Sequence, residues 1–251
     1  MSERVVFGIR PVEELCRARP RDVSVLYIAD GYRSAEIDRL LEAARDRAIH
    51  VEFRPRQLVA DLAGRDAVHQ GVVAIAGEYP YAELAEILAT AAPEAPAASP
   101  LLLLLLDNIT DPHNLGALVR SAEVLGAHGV VIPNHGAAPV TPVAVKSSAG
   151  ATERMKITRV GNILRTIDSL RERGVRVLGA DSDKGDPLDQ VDLRVPIALV
   201  IGAEGKGMRE AVARRCDALF HIPQTGAVAS LNASVAGAIA LYEAARQRQK
   251  R

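Results

Sequence analysis

Three short segments late in the chain combine glycine with side chains able to do polar chemistry: Gly202-Ala-Glu-Gly-Lys-Gly207, Ile222-Pro-Gln-Thr-Gly226 and Ser230-Leu-Asn-Ala-Ser234. Glu204 is the one carboxylate of the first segment, and it suits either orienting a substrate or accepting a proton. Ser230 and Asn232 bring a hydroxyl and an amide to the start of an apolar stretch, where they can also serve as helix caps. Glycines in such loops let backbone approach a ligand closely or take positive φ. The first segment reads G-x-x-G-x-G, not the G-x-G-x-x-G of a dinucleotide loop, and it lacks the Lys-Ser/Thr ending of a P-loop. A phosphate cradle is therefore not expected. Farther upstream, Asn114 and Arg120 lie six residues apart, and Arg120 interrupts the apolar and small-residue stretch Leu115 to Ala122. A charge there requires something to satisfy it, such as a structural ion pair.

The elements that must position these residues follow from hydrophobic pattern. Ile197 to Ile201 is apolar without alternation, as in a strand buried on both faces, and Ala218 to Ile222 is a second strand candidate. A helix opens at Ser230 and runs to about Arg246. Two strand-end loops and a helix start thus converge on one sheet edge, where open α/β sheets bind ligands. Upstream, strands at Leu101 to Leu106, Gly129 to Ile132, Met155 to Thr158 and Val175 to Ala180 alternate with helices at Asn114 to Leu125, Thr141 to Gly150 and Ile163 to Arg173. This order predicts an α/β fold with a helix-covered parallel sheet. Asp181 to Arg194 reads as a solvated loop.

Residues 1–77 form a smaller α/β pattern, with strands at Val5 to Phe7, Val23 to Ile28, Val51 to Phe53 and Gly71 to Ala76. Helices are expected at Pro11 to Arg19, from a Ser34 cap to about Arg47, and at Gln57 to Ala63. Three prolines between Ala92 and Pro100 exclude helix and ladder, which places a linker over residues 78–100, with a further helix possible between Tyr79 and Ala92. Residues 101–251 then form the larger domain.

With 31 basic and 31 acidic residues, bulk charge does not announce a nucleic-acid partner, so any such binding must come from a local patch. The two cysteines and six histidines show no metal-ligand spacing, which predicts no metal site and a reducing cytoplasm. The six-leucine run is too short to span a bilayer, and the first ten residues hold no apolar signal core.

The stretches Asp107 to Ala122, Ile201 to Met208 and Ile222 to Ala236 resemble the three motifs of the SpoU/TrmH branch of the SPOUT methyltransferases, in order and at that family's spacing. The likeness covers about residues 101–247. The N-terminal part, through Phe7-Gly8, Val12-Glu13 and His69-Gln-Gly-Val72, resembles an L30e-like RNA-binding domain. The resemblance implies a C-terminal trefoil knot holding S-adenosyl-L-methionine, although threaded chains are otherwise nearly absent. It also implies 2′-O-methylation of a guanosine ribose in 23S ribosomal RNA. A transfer RNA or another ribosomal site, and a non-catalytic RNA-binding protein, are the alternatives. By motif position Gly202, Ile222 and Leu231 line the adenosyl pocket, while Asn114, Arg120, Glu204, Ser230 and Asn232 are catalytic. A guanidinium is not deprotonated in ordinary protein settings, so Arg120 is assigned to positioning and charge stabilisation. Candidate RNA contacts in the N-terminal domain are Arg10, Arg17, Arg19, Arg21, Arg33, Arg54 and Arg56. The last helix carries Val235, Ala236, Ala238, Ile239, Ala240 and Leu241 on nearly every face, so a second copy is expected to cover the side that its own domain leaves bare. Relatives in this family dimerise through that region.

Overall fold

Six consecutive leucines leave no face for water, and Leu101 to Leu106 are all buried. The computed structural model describes residues 3–64, 67–91, 99–226 and 230–249. The chain runs β1 (Arg4–Phe7), α1 (Ile9–Ala18), β2 (Val23–Ala29), α2 (Ala35–Asp46), β3 (Val51–Arg54), α3 (Arg56–Ala63) and β4 (Val72–Ala76). There follow α4 (Leu84–Ala89), β5 (Leu102–Asp107), α5 (Pro112–Val124), β6 (Gly129–Pro133), α6 (Pro142–Ser147), β7 (Ile157–Val160), α7 (Ile163–Glu172) and β8 (Arg176–Asp181). The last elements are β9 (Asp186–Pro187), β10 (Ile197–Gly202), α8 (Glu210–Ala213), β11 (Ala218–His221) and α9 (Ala233–Gln249). By contacts the chain divides into two units, Met1–Pro80 with Val140–Arg154, and Tyr81–Pro139 with Met155–Arg251.

In the second unit seven strands lie in the order β7-β6-β5-β10-β8-β11-β9, and every pairing is parallel. The expected parallel sheet is present. Leu103 and Leu105 of β5 point into a core shared with Ile163, Ile167 and Leu170 of α7, Val212 of α8 and Ile87 of α4. On the opposite face α9 packs against β10 and α5. Gly237 permits this, because a Cβ there would collide with the Leu118 side chain. The linker expectation narrows at its N-terminal side, since the Tyr79 hydroxyl donates to the Thr152 carbonyl at 2.7 Å and Ile87 is a core residue. The proline-rich centre of that stretch, 92–98, lies outside the described residues.

Asp181 to Arg194 is not a solvated loop. Leu188, Val191 and Leu193 are buried, and β9 pairs with β11 as the sheet's edge. The apolar residues there are spaced singly among charges, so neither a helical nor a strand period exposes them to sequence reading. The strand expected at Met155 to Thr158 lies two residues later, at Ile157–Val160, where it pairs with β6.

The first unit holds four strands in the order β1-β4-β2-β3, antiparallel except for β2 with β3. α1 and α2 cover one face through Val12, Leu15, Cys16, Ile37 and Leu40, joined by Val145 of α6. Val59 of α3 packs on the other face with Phe7, Ala29 and Val73. The segment Val140–Arg154 is tied in by Glu153, whose buried carboxylate accepts two hydrogen bonds from the Arg4 guanidinium at 2.7 and 2.8 Å. Arg4 and Arg19 also lie over the Tyr79 ring. No helix among the described residues is long and apolar enough to cross a membrane.

Candidate functional site

The glycine loop begins where β10 ends. Ala203 and Gly207 donate to each other's carbonyls at 3.0 and 2.8 Å, closing Ala203 to Gly207 into a tight turn. Gly207 takes φ of 64°, a left-handed conformation that costs glycine nothing. Gly202 has no room for a side chain, because a Cβ would collide with the Gly207 carbonyl and the Met208 nitrogen. The sequence reading expected Gly202 to let backbone approach a ligand; the neighbour that excludes a side chain here is the loop's own returning backbone.

The structure brings Asn114, Glu204 and Asn232 together. Asn232 Nδ2 donates to Glu204 Oε2 at 2.8 Å and to Asn114 Oδ1 at 3.1 Å. Its Oδ1 accepts from the Ser234 backbone N–H at 2.8 Å and the Ser234 hydroxyl at 2.6 Å, which fixes which end of the amide is oxygen. Asn232 is therefore the cap of α9, and the helix starts at Ala233, not Ser230. Ser230 is exposed and makes no hydrogen bond to a described residue. Capping and site roles, set as alternatives for Asn232, coincide in one side chain: its oxygen caps and its nitrogen bridges.

A cleft of about 480 Å³ lies beside the loop, lined by Gly202, Glu204, Ile222, Ser230 and Leu231 among others. Five of the eight residues singled out from the sequence are thus in its wall. Asn232 adjoins it through Glu204, and Asn114 lies behind Asn232. The wall also contains Asp181, Ser182, Asp183 and Lys184, which sequence reading assigned to a loop, together with Met208 and Gln224. Burial raises the Asp181 carboxyl, but N–H groups of Asp183 and Lys184 at 3.3 Å outweigh this and hold it below its ordinary value. The position of this acidic turn at the C-terminal end of β8 was the available signal, since β8 neighbours β10. Among the described residues no cluster of His, Cys, Asp and Glu fits a metal ion.

Arg120 corrects an expectation. Its charge is not buried among apolar residues: the side chain is exposed on α5 and makes no hydrogen bond or ion pair to a described residue. Helical period explains this, because Leu115, Leu118, Val119 and Ala122 face inward while position 120 falls outside that stripe. It does not line the cleft. A second, shallower groove runs between α5 and α9, bounded by Ala117, Ser121, Leu125, Val235, Ile239 and Tyr242, with Val235 and Tyr242 exposed.

In the first unit the arginine candidates divide. Arg17 pairs with Glu13 at 2.6 Å, Arg10 reaches the same carboxylate at 3.5 Å, Arg54 pairs with Glu52, and Arg19 is largely buried near Glu153. Arg21, Arg33 and Arg56 are exposed, with no ion pair to a described residue. Carboxylates three or four residues away on the same helix account for the pairing of Arg10 and Arg17.

Two family models match the chain: the SpoU rRNA Methylase family over residues 101–242, and RNA 2′-O ribose methyltransferase substrate binding over residues 5–82. An uncharacterized tRNA/rRNA methyltransferase of Mycobacterium sp. (strain KMS) is 41% identical over 98% of this chain and 77% of its own. The 23S rRNA (guanosine-2′-O-)-methyltransferase RlmB of Pseudomonas putida is 37% identical over 97% of this chain and 96% of its own. Among solved structures, the SpoU methyltransferase AviRb of Streptomyces viridochromogenes, in complex with AdoMet, superposes with a TM-score of 0.80 at 30% identity, over 99% of this chain and 92% of that one.

Proposed function

The chain belongs to the SpoU rRNA methylase family, and from that premise we propose that it methylates the 2′-hydroxyl of a guanosine ribose in 23S ribosomal RNA, with S-adenosylmethionine as donor. The observation that carries this reading is the Asn114–Asn232–Glu204 junction beside a cleft lined by both apolar and polar residues. The cleft's size lies within the roughly 300–1,000 Å³ of ligand pockets. Ile222, Leu231 and Phe220 offer flat apolar contact to an adenine, while Ser230, Gln224 and Asp181 offer polar groups to a ribose. The residues present therefore fit the cofactor, whose sulfonium supplies an activated methyl group.

This chain's own groups have three tasks. Gly202 and the turn that follows form a wall of backbone beside the adenosyl site. Asn232, locked by Ser234, holds the Glu204 carboxylate in one orientation. Glu204 then orients the ribose hydroxyl and accepts its proton as the carbon–oxygen bond forms. Arg120 contributes charge stabilisation to the RNA phosphate beside the target. Because Arg120 is absent from its own cleft, the working unit is a homodimer in which the α5–α9 groove meets its copy and each Arg120 serves the partner's site. The RNA is gripped by the N-terminal unit, with Arg21, Arg33 and Arg56, which have no ion pair to a described residue, among its contacts. The same reading includes the trefoil threading of the C-terminal chain and a cytoplasmic location.

The ribosomal target rests on the relative from Pseudomonas putida, a guanosine 2′-O-methyltransferase by name. Mapping 2′-O-methyl positions in ribosomal and transfer RNA from cells lacking the gene tests it. Loss of one guanosine modification in 23S RNA is the expected result. Loss confined to a transfer RNA moves the substrate, and an unchanged map refutes the reading.

A further inference from the structure

Asp107 holds both ends of the glycine loop. Through its backbone it is the register partner of Gly202, the last residue of β10. Through its side chain it takes Arg209, the second residue after Gly207. Arg209 donates its backbone N–H to Oδ2 at 2.8 Å and its Nε to Oδ1 at 2.8 Å, with a terminal nitrogen 2.6 Å from Oδ1. The carboxylate is wholly buried, whereas the Arg209 side chain is about half exposed. Inside the loop, by contrast, the backbone hydrogen bonds are local: the Ala203–Gly207 pair and Lys206 N–H to the Glu204 carbonyl. Residues 204–207 are exposed.

We propose that Asp107 and Arg209 are positioning residues that clamp the glycine loop closed and so set the place of Glu204 at the cleft. A loop held by its own turn alone opens at little cost, because few buried contacts oppose it. The Arg209 guanidinium on a buried carboxylate changes that: two nitrogens of its planar group converge on Oδ1 while the backbone N–H takes Oδ2, an arrangement that an ammonium does not reproduce. Met208 adds the second tether, its methyl filling the space left by Gly179 on β8. Two successive residues thus pin the segment after the turn to β8 and β5. Glu204 directly follows Ala203 within the turn, and in this closed loop its carboxylate accepts from Asn232 at 2.8 Å. The clamp's bearing on the cofactor rests on the function proposed above, but the closed loop itself does not.

The test is Arg209→Lys in the full chain, which keeps the charge and removes the planar group. Amide hydrogen exchange, read residue by residue by NMR without ligand, is expected to run about tenfold faster at Ala203 and Gly207 while the strands β5 and β10 keep their protection. The dissociation constant for S-adenosylhomocysteine is expected to rise about tenfold, the melting temperature staying within about 2 °C. Unchanged exchange at Ala203 and Gly207 overturns the clamp. Faster exchange spread evenly over β5 and β10 makes the pair an ordinary stabilising ion pair and also overturns it. Faster loop exchange with unaltered ligand affinity refutes the positioning role. If the parent protein does not bind S-adenosylhomocysteine at all, the proposed cofactor falls, while the exchange data still decide the clamp.

Discussion

Asn232 donates to the Glu204 carboxylate at 2.8 Å while its amide oxygen caps the helix that follows. The two functions separate by substitution. Asn232→Ala removes both, so it is expected to lose methyl transfer and about 1 kcal/mol of stability, in the range of cap deletions. Asn232→Asp keeps a good cap but sets a second carboxylate against Glu204. It is expected to retain the melting temperature and lose turnover. Equal turnover in Asn232→Asp and the parent would falsify the bridging role.

Gly202→Val drives a branched side chain into the Gly207 carbonyl and the Met208 nitrogen. Backbone cannot yield there as a flexible side chain can. Calorimetry with S-adenosylhomocysteine is expected to detect no binding, while the spectroscopic signature of the N-terminal unit is unaltered. Binding at parental affinity would show that the loop adopts another path.

The parts legible in the sequence are those where one local signal suffices. Six leucines specify a doubly buried strand. The helix expected from Asn114 begins two residues earlier, with Asp111 as its cap and Pro112 as its first residue. What escaped depends on partners distant in sequence. Arg209 meets Asp107 across more than a hundred residues, and Asn232 meets Asn114 likewise. Arg120 was misread because an apolar neighbourhood in sequence was taken for one in space. Around a helix, neighbours in sequence face different directions. Val140–Arg154 clusters with the N-terminal strands because the Glu153 carboxylate answers Arg4, a pairing that no period reveals.

That pairing makes a prediction of its own. Glu153→Ala leaves Arg4 and Arg19 without their shared carboxylate, and Arg4 is mostly buried. Breaking one side of a buried pair costs roughly 3–5 kcal/mol. Chemical denaturation is expected to show this loss. A change under about 1 kcal/mol would mean that water replaces the carboxylate.

Burial pushes the thiols of Cys16 and Cys216 up to about 12. The reactive form is the thiolate, so at pH 8 both are almost wholly protonated. Native protein is expected to resist a thiol-specific disulfide reagent, and denatured protein to release two equivalents. Fast labelling of either residue in the native state would place it outside the core that holds it.

Arg120 is exposed and unpaired among the described residues, so its removal leaves nothing buried without a partner. Arg120→Ala should alter stability by no more than about 0.5 kcal/mol and leave affinity for S-adenosylhomocysteine intact. Methyl transfer is nevertheless expected to fall at least about a hundredfold, as when a charge-stabilising donor is removed. Arg120→Lys should also be poor, because a point charge does not replace a planar fork. The homodimer reading sharpens this into a complementation experiment. Each cleft contains Glu204 of its own chain and lacks its own Arg120. Arg120→Ala and Glu204→Ala chains, each inactive alone, would then form a mixed dimer with one cleft carrying both intact residues and one carrying neither. About half of parental activity per mixed dimer is expected. Activity no greater than that of the two separate variants would place both residues in the same protomer's site. A protein that sediments as a monomer and methylates RNA at full rate would dispose of the shared site altogether.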